Sequence, residues 1–315
     1  MSQAPRAHRS CLSVPGSQPR FHERADTVPA DMVMFDLEDS VAPSAKAAAR
    51  GLVVRALCAH AYTGKVRGVR VNAVDTGWCL DDVREVVEGA GDRIDVIVLP
   101  KVEDVDQVHF LHHLLQQLER RIGLQRRIGL ELQIESARGL EQVSNIAGAS
   151  DRNQALIFGP GDLGASLRMP GLTIGALQPD YPGDLWHYAR VRMLIAARAH
   201  GLQAIDGPYA QIRDLEGLRA SARQVALLGY DGKWVVHPAQ VEVVNEIFTP
   251  SQEEFDRASA IVEAYQRASD QEGTGALMLG EEMVDEASRR LAETLVERGR
   301  AVGMTPRDRS ADPTG

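Results

Sequence analysis

The feature that most constrains this chain is a pattern repeated eight times: a short apolar run, a polar or Gly/Pro break, then a stretch of helical period. The runs are Cys11–Val14, Met32–Leu37, Gly68–Val71, Val96–Leu99, Gly129–Ile134, Ala155–Phe158, Gln203–Asp206 and Trp234–Val236. Between them apolar residues recur three and four positions apart, as in Ala45, Ala48, Ala49, Leu52, Val53, Ala56 and Leu57, or Val105, Val108, Leu111, Leu115 and Leu118. That spacing marks one face of a helix. Strand and helix alternating eightfold imply the α/β class and a (β/α)8 TIM barrel. An open doubly wound sheet competes, but no GxGxxG or GxxxxGK[ST] follows the first run, so its phosphate-binding turn is missing.

A barrel needs roughly 250 residues; this chain has 315, and the surplus lies at its end. Residues 1–248 are assigned to a barrel catalytic domain, 249–304 to a C-terminal helical lid and 305–315 to a disordered tail. The lid combines helices near Ser251–Ala268 and Gly280–Arg298 around Gly273-Thr274-Gly275, whose glycines are hinge candidates. The tail is polar and lacks apolar period. An irregular insert, Pro170–Asp184, follows the sixth run, and loops of this length often carry function.

Several function classes are excluded. With 44% hydrophobic and 25% charged residues the chain reads as an ordinary globular protein. Its 35 basic against 44 acidic residues give a net charge of −9, which would repel a phosphate backbone, so no nucleic-acid partner is expected. Cys11, Cys58 and Cys79 suit neither a disulfide framework nor a zinc site, and fit a reducing cytoplasm. No apolar run of about 18 residues occurs and no h-region follows Met1–Arg9, so neither export nor membrane spanning is expected.

Residues along a barrel strand alternate between the helix layer and the interior, and active sites collect at the carboxyl ends. By that parity Leu130, Leu132 and Ile134 face helices, which turns Glu131, Gln133 and Glu135 inward. Val69 and Val71 likewise leave Arg70 and Asn72 inside, and Asp36 and Glu38 share one face beyond Met34. The sixth run ends in Gly159-Pro160-Gly161-Asp162-Leu163-Gly164, a tight turn with exposed backbone N–H groups beside a carboxylate. Glu135 and Asp162, without a nearby His or Cys, describe a hard-cation site suited to Mg²⁺. Other readings stay open. Arg70 also fits a buried ion pair with Asp36 or Glu38, and the Asp36-Leu37-Glu38-Asp39 run fits a helix-entry acidic cluster. Lys101 is a salt-bridge partner or a Schiff-base lysine. His237 reads as a loop cap, and His109, His112 and His113 as surface residues. Convergence of several such groups on one rim favours a functional site.

With these residues in place, the sequence resembles the HpcH/HpaI aldolase and citrate lyase β-subunit superfamily, on its malyl-CoA and β-methylmalyl-CoA lyase branch. The segments that carry the resemblance are SCLSVPGSQPRF, MFDLEDSVAP, VRVN, VLPKVE, LQIESARG, FGPGDLGASL, AIDGPY, LGYDGKWVVHPAQV and GEEMVDEAS. The resemblance implies a TIM barrel assembled as a homotrimer or hexamer, with lid residues shared between subunits. It implies Mg²⁺, or Mn²⁺, and coenzyme A as part of the substrate. The implied reaction is reversible Claisen-type cleavage of (S)-malyl-CoA or β-methylmalyl-CoA to acetyl-CoA or propionyl-CoA and glyoxylate, with acyl-CoA and 2-oxo acid as the small-molecule partners. By motif, Glu135 and Asp162 fall on the metal ligands and Arg70 on the catalytic arginine. Glu38 and Asp39 fall on residues that bond water at the metal, and Asp285 on an aspartate delivered by the lid. Ser17, Arg20, Phe21 and Arg24 fall on coenzyme A contacts, and Gly161 joins Arg70 and Asp162 as a substrate contact. Alternatives at the same site are a citramalyl-CoA lyase, a malyl-CoA thioesterase, or a citrate lyase β-like subunit of a larger complex.

Overall fold

Each apolar run forms a strand whose ends lie within two residues of those expected: β1 Ser10–Pro15, β2 Met32–Asp36, β3 Val66–Arg70, β4 Val96–Leu99, β5 Gly129–Ile134, β6 Asn153–Phe158, β7 Gln203–Asp206 and β8 Gly232–Val235. The structure is a computed structural model and describes residues 6–171, 173–175, 180–272 and 274–307. Neighbouring strands pair in parallel, and β1 pairs with β8, Cys11 opposite Trp234, which closes the barrel. Helices follow the strands in turn, from Pro19–Thr27 after β1 to Val241–Phe248 after β8.

Strand pleating sorts the core into two layers. Leu130, Leu132 and Ile134 of β5 pack beneath the helices, as do Ile97, Leu99, Leu156 and Phe158. The alternate positions fill the lumen: Met32, Met34, Val96, Val98, Ile157 and Trp234 form a separate apolar cluster there. The interior is thus packed rather than hollow, and chemistry is confined to its rim. Helix ends are fixed locally. Asp104 accepts a hydrogen bond from the Gln107 amide and forms a capping box at the start of Val105–Ile122.

The chain divides into two compact units, the barrel His8–Phe248 and a unit from Thr249 onward that also takes in Arg6 and Ala7. The second unit holds helix Gln252–Glu272, an antiparallel hairpin of β9 (Ala276–Leu279) and β10 (Glu282–Asp285), and helix Glu286–Ala301. Its small core is Phe255, Ala258, Ala292 and Val296. The helix expected from Gly280 therefore starts six residues later. Gly280 sits at φ +65°, a left-handed turn that joins the strands, and Leu277 and Val284 pair across them. Gly275 precedes β9; Gly273, the other hinge candidate, lies outside the described residues. Of the expected tail, Thr305 accepts from Gln252 at 2.9 Å and the Arg307 amide donates to Asp256 at 3.0 Å, which ties its start to the first helix of this unit. Residues 308–315 lie outside the described residues. Among the described residues no helix is long and apolar enough to cross a membrane.

Candidate active site

Asp36 and Arg70 end neighbouring strands in register, and both side chains enter the lumen at its carboxyl end. Arg70 donates from Nε and Nη2 to the two Asp36 oxygens, each at 2.7 Å, while Nη1 lies 3.0 Å from Glu38 Oε2. Its guanidinium rests on the Trp234 ring, 4.7 Å from the centroid. A planar fork held by a bidentate carboxylate and an aromatic face has one orientation. Burial alone would raise the Asp36 pKa, but the charge and hydrogen bonds of Arg70 hold it below the usual carboxylate value. The ion-pair reading of Arg70 is realised. It leaves a substrate role open, since three of five N–H donors face carboxylates and two remain.

Glu135 follows β5 at 2% exposure. Its Oε1 accepts the Lys101 amide at 2.8 Å and its Oε2 accepts from Gln133 Nε2. Gly159, where β6 exits, is packed on it: an added Cβ would lie 2.4 Å from Glu135 Cβ. Burial first, then the Glu38 and Asp162 carboxylates, push the Glu135 pKa up to about 8. Asp162 is exposed in the first turn of helix Pro160–Ser166.

Lys101, just past β4, closes the group. Its ammonium bonds Glu38 and lies 3.3 Å from Asp39 Oδ1. Burial works against that charge, but the bond and charge of Glu38 prevail and raise the Lys101 pKa, which favours the salt-bridge reading over a Schiff-base one. Asp36, Glu38, Asp39, Glu135 and Asp162 thus face Arg70, Lys101 and the buried Lys46, whose ammonium donates to the Leu37 and Glu38 carbonyls, five carboxylates against three cations. A divalent cation would supply the missing charge. Two protein carboxylates, Glu135 and Asp162, suit Mg²⁺, which keeps several waters. Among the described residues no three or more His, Cys, Asp or Glu side chains gather as a metal cage.

The other expected residues fall as follows. Ser17 is half-buried in the β1 exit turn, and Arg20, Phe21 and Arg24 are exposed on helix Pro19–Thr27, with the Arg20 guanidinium 4.6 Å over the Phe21 ring. Gly161 is half-buried beside Asp162. Asp285 belongs to the second unit, where Oδ1 accepts from the Ser288 amide at 2.9 Å and its hydroxyl at 3.1 Å, capping helix Glu286–Ala301. Those bonds lower its pKa. Asn72 does not join the rim. It lies past the end of β3, where pleat parity lapses, and bonds Asp82 of helix Cys79–Ala90 and the Leu37 carbonyl. His237 accepts from the Ala239 amide and caps a short turn, as expected. Sequence reading missed Trp234 as the floor beneath Arg70, although strand parity places it inward. It also missed the Lys101 corner, whose left-handed backbone carries no residue signature.

Comparison with known proteins converges on one family. Residues 9–238 match the HpcH/HpaI aldolase/citrate lyase family. The chain is 39% identical to an L-malyl-CoA/β-methylmalyl-CoA lyase of Cereibacter sphaeroides over 94% of its length and 96% of the relative. It is 34% identical to a malyl-CoA/β-methylmalyl-CoA/citramalyl-CoA lyase of Chloroflexus aurantiacus, covering 88% of this chain and 83% of the other. Among solved structures, the Mycobacterium tuberculosis CitE complex with magnesium, acetoacetate and coenzyme A superposes at TM-score 0.72 with 28% identity, over 93% of this chain and 98% of that one. A Burkholderia xenovorans citrate lyase reaches TM-score 0.82 at 22% identity, over 95% and 94% of the two chains, a likeness of fold. This eight-stranded barrel with its acidic rim belongs to the HpcH/HpaI aldolase/citrate lyase family.

Proposed function

We propose that the chain is a Mg²⁺-dependent carbon–carbon lyase that cleaves (S)-malyl-CoA or β-methylmalyl-CoA reversibly to acetyl-CoA or propionyl-CoA and glyoxylate. The observation that carries this reading is the unbalanced rim, a carboxylate surplus around Glu135 beside a rigidly held arginine. The named activities of two relatives and the magnesium and coenzyme A bound to a structural neighbour support it.

Glu135 and Asp162 would hold the cation, with Mn²⁺ as a substitute. When bound, it supplies a Lewis acid for the oxygens of the 2-oxo acid. The chain's own residues do the rest. In cleavage the carbinol hydroxyl gives up its proton to solvent and its electron pair forms the glyoxylate carbonyl, while the bond between the thioester α-carbon and the carbinol carbon breaks and its pair passes toward the thioester oxygen. The two remaining Arg70 donors face that developing charge, and their fixed orientation spares reorganisation during the step. Gly161 offers backbone to the substrate carboxylate. Glu38 and Asp39, tied to Lys101, order water beside the ligands. Ser17, Arg20, Phe21 and Arg24 take the coenzyme A moiety. Asp285 returns the proton to the enolate carbon; its two bonds from Ser288 favour the ionised form that takes a proton in the condensation direction. In this reading the second unit is a lid, and the protein is a homotrimer or hexamer in which the lid serves a neighbouring site.

The test is steady-state turnover of purified protein with malyl-CoA, β-methylmalyl-CoA and citramalyl-CoA, the last included because the Chloroflexus relative's name extends to it. The expected result is glyoxylate release from the first two with the thioester intact. Release of free thiol as the first product would make the protein a thioesterase.

A further inference from the structure

Lys101 touches the acidic rim twice, through two different groups. Its amide donates to Glu135 Oε1 at 2.8 Å, and its ammonium bonds Glu38 and approaches Asp39. It does so at φ +52°, a left-handed backbone that L side chains rarely adopt. Among the described residues Tyr62 and Arg168 share that feature; Lys101 is the one bonded to the rim. The corner is held from behind, since buried Val102 donates its amide to the Gln133 carbonyl at 3.3 Å, on the strand that carries Glu135. Strained residues persist where the surroundings over-determine them, and they cluster at functional sites. An extended backbone at 101 would turn the amide away from Glu135.

We propose that Lys101 is a positioning residue that assigns the rim carboxylates to separate tasks: its left-handed amide aims Glu135 at the divalent cation, and its ammonium withholds Glu38 and Asp39 from it. This rests on Glu135 being a ligand of that cation, as argued above. Without the amide, Glu135 loses a fixed direction. Without the ammonium, Glu38 keeps only its 3.0 Å approach to Arg70 and becomes a third carboxylate able to turn onto the cation, which tightens binding and displaces the water and substrate oxygens the reaction needs.

The two tasks separate in two variants that both lack the ammonium. Lys101→Gly keeps the left-handed corner without strain, whereas Lys101→Val disfavours it through β-branching. The probe is Mn²⁺, titrated into intact protein and followed by electron paramagnetic resonance. Lys101→Gly should bind Mn²⁺ at least as tightly as wild type while kcat falls. Lys101→Val should bind it ~10-fold or more weakly, the size of effect that groups orienting a metal ligand produce. Lys101→Arg should recover most of the kcat lost in Lys101→Gly. Lys101→Asn, which tolerates the left-handed region, should follow Gly rather than Val, and serves if the Val chain does not fold. Equal Mn²⁺ affinity in the Gly and Val variants overturns the backbone half, as does weak binding in both Gly and Asn. Unchanged kcat in Lys101→Gly overturns the ammonium half. Absence of Mn²⁺ binding by wild type overturns the metal reading itself, a separate failure.

Discussion

Asp184, Asp206, Arg190 and Lys233 form a buried network in which two carboxylates meet two cations; at the rim of the same barrel five carboxylates meet three. Both groups gather at the ends of strands, the first buried behind them and the second open to solvent at Asp39, Lys101 and Asp162. They differ in which way their strands face. Asp206 and Lys233 share parity with Ala204 and Val235 and point at the helix layer, where Arg190 lies 3.1 Å from Asp206 and 3.0 Å from Asp184. Asp36, Arg70 and Glu135 point into the lumen. The network behind the strands closes its charges and anchors the end of the Pro170–Asp184 insert, which is a structural task. The rim leaves charge unmatched, which a ligand must match. Burial of charge by itself therefore says little about function, whereas the local balance says a great deal.

Substitutions should separate the two regions. Glu135→Gln should lower kcat by about 10³-fold or more, the loss of several kcal/mol of transition-state stabilisation, while circular dichroism and melting stay near wild type. A comparable loss with collapsed secondary structure would make Glu135 structural. Asp206→Asn should do the reverse. It strands Lys233, leaves Arg190 with Asp184 alone, and costs about 3–5 kcal/mol in denaturant unfolding, with kcat of the folded fraction retained. Burial opposes the Asp206 charge, but Arg190 and Lys233 prevail and hold its pKa below the ordinary value. Its contribution to stability is therefore present above the unfolded carboxylate pKa and lost as pH falls through the folded one. Acid unfolding of Asp206→Asn should accordingly show a shallower pH dependence than wild type. A smaller effect is expected from Arg70→Lys, on the order of 10²-fold in kcat with little change in KM, because an ammonium cannot reproduce the fork that Asp36 and Trp234 hold. Raised KM at constant kcat would make Arg70 a ground-state anchor. Smallest in signal is complementation: chains carrying Asp285→Asn and chains carrying Glu135→Gln, mixed and allowed to exchange subunits, should regain activity in about a quarter of sites if closed oligomers share the lid. Inactive but demonstrably mixed oligomers would remove the shared lid.

The barrel was legible in the sequence because the strands are short, largely apolar runs between breaks, as in Val96–Leu99, and the period changes abruptly at their ends. Within strands, parity placed Asp36 and Arg70 inward for the same reason, and Glu135, one residue past β5, still follows it. It failed for Asn72, two residues past the pleat, where a hydrogen bond to Asp82 sets direction instead. β10 was read as the start of a helix and β9 was not anticipated, because four-residue strands rich in Leu, Met and Glu carry little strand signal, and the turn at Gly280 became decisive only with its φ known. Lys101 was seen as a salt-bridge partner or a nucleophile, never as a backbone donor, since nothing in Leu-Pro-Lys announces a left-handed lysine.

The most direct test of the central claim is cleavage of malyl-CoA by the purified protein, stripped with EDTA and then titrated with Mg²⁺, with glyoxylate and acetyl-CoA both quantified. The account predicts that turnover disappears on chelation and returns with Mg²⁺, the two products appearing in equal amounts. Full turnover by the stripped protein, or thioester loss without glyoxylate, would contradict it.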